Sequence, residues 1–103
     1  MIKVSVMYPN GANATFDMAY YLNKHMPMVM RTLAPALKSY FVDEGLGGGQ
    51  PGVAAPYVAM CHLMFESVEA FESGFATHGP DILSDIPNYT NTQPTVQVSQ
   101  VKV

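Results

Sequence analysis

The chain has 103 residues, 49% of them apolar and 13% charged, and a formal net charge of −3. That length supports one domain with one core, and with no cluster of Lys or Arg the chain is a poor match for nucleic acid or an anionic membrane. No apolar run approaches the ~20 residues that span a bilayer, and a lone cysteine, Cys61, excludes an intrachain disulfide framework and a cysteine-cluster metal site.

Met1 to Val6 lacks the apolar stretch of a secretory signal, so the expected location is cytoplasmic. So small a charged fraction leaves little with which to cover a surface, which points to a subunit contact. Methionine is plentiful, with 8 residues, and suits both cavity lining and core filling.

Ile2, Val4, Val6 and Tyr8 alternate with Lys3, Ser5 and Met7, the pattern of a half-buried strand. Pro9-Asn10-Gly11 ends it. A helix should follow, capped by Asn13 or Thr15, with Asp17 in its first turn at the positive end of the dipole. Met18, Leu22, Met26, Val29 and Leu33 form its apolar stripe. Asp17, Tyr21 and His25 recur every four residues and share the edge beside that stripe. Pro27 removes the hydrogen bond to the Asn23 carbonyl and should bend or interrupt the helix near His25.

Leu37 to Glu44 reads as a second strand and Gly45 to Gly52 as a flexible loop. That loop lacks the Lys and Ser/Thr of a phosphate-binding loop. Tyr57 to Glu66 is the longest strand, apolar on both faces, with Met60, His62 and Met64 on one of them. Ser67 caps a second helix to about Thr77, which Gly79-Pro80 should stop; Asp81 to Ile86 adds a further helical turn. Thr95 to Val103 alternates again as a last strand.

The order βαββαβ is that of an α+β, ferredoxin-like sandwich with a four-stranded antiparallel sheet. Two helices cover one face of such a sheet. The other face needs a cover, and the simplest is the same face of a second copy about a two-fold axis, a homodimer.

Phe16-Asp17-x-x-Tyr20-Tyr21-x-x-x-His25-Met26-Pro27, followed by His78-Gly79-Pro80 and Asp85-Ile86-Pro87-Asn88-Tyr89-Thr90, resembles the EthD family over essentially the whole chain. The resemblance implies a dimeric α+β barrel with a pocket in each protomer, into which the histidine of the first helix points. The family is named for an association with ethyl tert-butyl ether degradation. Its wider superfamily includes cofactor-free monooxygenases, cyclases, isomerases and haem-degrading enzymes, so fold transfers better than chemistry.

Tyr21 and His25 are the catalytic candidates, because an imidazole with a neighbouring phenol suits proton movement α to a carbonyl. The same pair could equally hold a bent helix together by hydrogen bonding. Asp17 is first a helix-start residue and second an orienter of Tyr21 or His25. Met60, His62 and Met64 would touch a ligand if their face looks into the pocket; His62 as a satisfied core histidine is the alternative. His78 complements a helix end and could also close over a pocket mouth.

A soft-metal site of Met26, Met28 and Met30 fails on geometry, since residues two apart on a helix diverge. No serine sits in a nucleophile-elbow context. The chain therefore reads as a protein that binds a small hydrophobic, aromatic or carbonyl-containing ligand without cofactor or metal. As an enzyme it would be of lyase, cyclase, isomerase or monooxygenase type. The rival is a non-catalytic binding or accessory protein; haem binding through His25 or His62 ranks third.

Overall fold

Alternation from Ile2 to Pro9 becomes the first strand, β1 (Ile2–Pro9), in the computed structural model, which describes residues 1–103. Strand β2 spans Ser39–Glu44, β3 Tyr57–Phe65 and β4 Thr95–Gln100. The four form one antiparallel sheet in the order β2-β3-β1-β4. The two crossovers carry the helices, giving the α+β sandwich that the element order implied.

The register sorts side chains onto two faces. Val6 lies opposite Cys61, Val4 opposite Leu63 and Ile2 opposite Phe65. These positions, with Tyr8 and Ala59, form the floor of the core. Ser5 opposite His62 and Met7 opposite Met60 occupy the other face, which no helix of the chain covers.

The first helical segment is composite. Helix α1 (Met18–Tyr20) opens it, a π-helical turn follows over Tyr21–His25, and α2 (Met26–Leu33) completes it. The cap is Asp17 rather than Asn13 or Thr15: its carboxylate accepts from the Tyr20 N–H at 3.1 Å. In the π turn the Met26 N–H reaches back five residues to the Tyr21 carbonyl. Pro27 then stands in the first turn of α2, where a missing N–H removes little. So the interruption expected near His25 takes the form of one wide turn. That turn also breaks the four-residue frame. Leu22, placed on the apolar stripe by spacing, is 46% exposed, while Tyr21, His25 and Met26 are all buried.

Helix α3 runs unbroken over Val68–Ser84, with the Ser67 hydroxyl accepting from the Ala70 N–H at 3.1 Å. Gly79-Pro80 does not stop it. Pro80 is exposed, and so is Ala76, whose carbonyl the missing N–H would have engaged; that carbonyl is free to meet water. The Phe75 ring lies over Gly79, where a Cβ would sit 3.0 Å from the ring. A 3₁₀ turn at Ile86–Asn88 leads into the segment that returns to β4. No helix is long and apolar enough to cross a membrane.

Candidate functional site

The π turn sets the site. It carries Tyr21 and His25 on its buried side, with their rings stacked at 5.2 Å and 14°. Opposite, the end of α3 and the 3₁₀ turn deliver Asp85 and Tyr89. That segment is laced to the helix start: the Asp17 N–H donates to the Tyr89 carbonyl at 2.7 Å, and Phe16 and Thr90 form an isolated bridge. Thr90 Oγ1 donates to the Thr15 carbonyl at 2.7 Å.

Asp85 is the hub. One carboxylate oxygen accepts from His25 Nδ1 at 2.8 Å; the other accepts from Tyr20 Oη at 2.7 Å and Asn88 Nδ2 at 2.9 Å. Burial would raise its pKa, but these donors outweigh that and hold it below the ordinary carboxylate value. Asp85 is therefore ionised at neutral pH, and His25 Nδ1 must carry the proton it shares. The contact with Asp85 in turn raises the Tyr20 phenol.

His25 is 3% exposed, and burial lowers its pKa despite the pull of Asp85. It is accordingly a neutral imidazole with Nε2 free to accept. Tyr89 Oη stands 3.5 Å from Nε2 and shares a 2.8 Å hydrogen bond with Tyr8 Oη. Tyr21 joins this group, its ring 4.9 Å from Tyr89 and 5.7 Å from Tyr8. Burial raises all three phenols, so each is a neutral donor.

These groups open onto a cavity of about 70 Å³ between the sheet and the helices. Apart from His25 and the three phenols, its walls are hydrophobic, including Val4, Met26, Leu63, Phe71, Phe75 and Ile86. Cys61 also lines it; its thiol donates to Met26 Sδ at 3.8 Å and burial pushes it up to about 11. A neutral base, hydroxyl donors and a dry wall together can bind a carbonyl oxygen and take a proton from a neighbouring carbon.

Of the residues selected from sequence, the structure brings Tyr21 and His25 together in the cavity. Asp17 is an exposed helix cap that supports the site from outside through the Tyr89 carbonyl. Met60, His62 and Met64 lie on the helix-free face, with the sheet between them and His25. There His62 Nδ1 is 2.9 Å from Ser5 Oγ and Nε2 is 3.2 Å from Asp43 Oδ2. This row of Ser, His and Asp lies flat across three strands, and none of its members lines the cavity. His78 lies within α3, away from the cavity lining. No group of three His, Cys, Asp or Glu is placed to hold a metal.

Sequence reasoning passed over Asp85, Tyr89, Tyr8 and Tyr20. Asp85 and Tyr89 both fall in the Asp-Ile-Pro-Asn-Tyr run, where an acid and a phenol flank a proline turn, and that run was the available signal. Tyr8 was legible only as a strand residue.

The model of the EthD domain matches residues 10–93. Among solved structures, an EthD-like protein of Ralstonia eutropha JMP134 is 46% identical, with a TM-score of 0.95 over 99% of this chain and 92% of that one. An ethyl tert-butyl ether degradation (EthD) family protein of Bacillus halodurans C-125 is 19% identical, with a TM-score of 0.75 over 99% of both chains. A protein of Arabidopsis thaliana, 13% identical with a TM-score of 0.72 over 100% of this chain and 97% of that one, shares the fold. No curated protein sequence matches.

Proposed function

The chain belongs to the EthD family, and on that premise we propose that it works as a homodimer binding a small hydrophobic carbonyl compound, on which His25 moves a proton. The observation that carries this reading is the Asp85–His25 pair at 2.8 Å, with the other imidazole nitrogen turned toward a cavity of phenols and hydrocarbon. Asp85 fixes the Nδ1–H tautomer, leaving Nε2 as the base. When Nε2 takes a proton from the carbon next to the carbonyl, the imidazolium forms beside a carboxylate that stabilises it. The Tyr21 or Tyr89 hydroxyl donates to the oxygen on which negative charge collects. Reversal, elimination or ring closure would then depend on the substrate. An ether such as the one in the family's name has no proton acidic enough for an imidazole, so a carbonyl compound fits this site better.

The dimer is supported by the helix-free face. Met7, Met60 and Met64 lie there beside Phe41, which is 59% exposed. Pairing two such faces would remove apolar surface from water on both copies.

The test is hydrogen–deuterium exchange at the α-carbon of simple ketones in D₂O, followed by NMR. Catalysed exchange that His25→Gln abolishes while ketone affinity is kept supports the reading. Binding without exchange in the wild-type protein would replace it with the second reading, a carrier, which the largely apolar wall favours.

A further inference from the structure

The cavity volume of about 70 Å³ is smaller than the ~150 Å³ engineered cavity that binds benzene. An acetyl-sized head fits; a large substrate does not. The polar groups share one corner, with the Tyr89 ring 4.6 Å from His25 and 5.9 Å from Tyr8. A ligand therefore has one polar anchor here.

Among the lining residues only Leu83 and Val96 are exposed, each at 52%. Val98, 42% exposed, continues the strip on the same side of β4. Val96 and Val98 pair with Val6 and Val4, both cavity residues. Helix α3 packs on α2 and β3 and leaves these β4 side chains exposed. It is a shelf of hydrocarbon, continuous with the cavity wall and open at the mouth.

We propose that the ligand is a single-headed amphiphile: a carbonyl seated among Tyr8, Tyr21, His25 and Tyr89, with an unbranched hydrocarbon tail that leaves between Leu83 and Val96 and lies along this flank of β4. This rests on the reading of the cavity as a carbonyl site. The head answers the small volume and the single polar corner, and the tail answers the exposed apolar strip.

The experiment titrates the whole protein with 2-butanone, 2-hexanone, 2-octanone and 2-decanone, following amide and imidazole resonances by NMR. Affinity is expected to rise about two- to fourfold per added methylene, with Val96 and Val98 amides shifting only for the longer members. In a Val98→Asp variant, at an exposed position outside the cavity lining, that increment should vanish for 2-octanone and 2-decanone, with the 2-butanone affinity kept. Wild-type binding that is indifferent to chain length overturns the tail while leaving the carbonyl site standing. No shift at His25 with any ketone overturns the site and the tail together. If sedimentation shows that the Val98→Asp variant loses self-association while its ketone series is unchanged, the shelf belongs to a second copy and the proposal falls.

Discussion

Asp85 Oδ2 accepts a hydrogen bond of 2.8 Å from His25 Nδ1, joining residues sixty apart in the chain. The pair is completed by Tyr20 and Asn88 on the other carboxylate oxygen. A carboxylate so held decides which imidazole nitrogen is the base, and most of the testable behaviour of the site descends from it.

Asp85→Asn keeps the shape but removes the charge. It should lower ketone α-exchange by about 10²-fold or more, the size of a general-base effect, while ketone affinity changes little. A merely structural role for Asp85 would lower both together. The readout is exchange rate against affinity in the same NMR titration.

Stability should fall in mild acid. His25 has a folded pKa below its ordinary 6.5, so below that value the unfolded chain takes up a proton that the folded chain resists. The loss begins as pH drops under 6.5 and levels off below the folded value. Asp85, also lowered, adds a second loss below its ordinary 3.8. Thermal melts between pH 8 and 5 should show the first step, and His25→Gln should remove it.

Cys61 should be inert in the folded protein. Burial at 2% exposure and a pKa of about 11 against an ordinary 9.0 leave about 10²-fold less thiolate before access is considered. Iodoacetamide at pH 8 should label it only after denaturant is added. Rapid native labelling would show that the cavity opens readily.

Met60→Asp with Phe41→Asp should turn a dimer into a monomer in sedimentation at micromolar concentration, because charge on the helix-free face resists burial. Phe41 is already exposed, and Met60 faces away from the core floor. A wild-type monomer under the same conditions would remove the dimer from the proposed function.

The sequence by itself determined the fold. Period-two alternation in β1 and β3, the Ser67 cap and the βαββαβ order follow from local rules that tertiary context did not override. It also picked out Tyr21 and His25, because an imidazole and a phenol four residues apart share a helix edge. Its errors came where one residue changes a frame or a break is tolerated. The π turn at Tyr21–His25 moved Leu22 to solvent, and Pro80 passed through α3 because its freed carbonyl is on the exposed side. Tertiary structure alone decided the rest. Which sheet face His62 occupies depends on strand register, and one step of register exchanges the two faces. The partners of His25 are Asp85, at the end of α3, and Tyr89, after the 3₁₀ turn, which Tyr8 at the end of β1 bonds in turn; only packing brings them together. Spacing along a chain encodes neighbours within an element; it carries no measure of distance between elements.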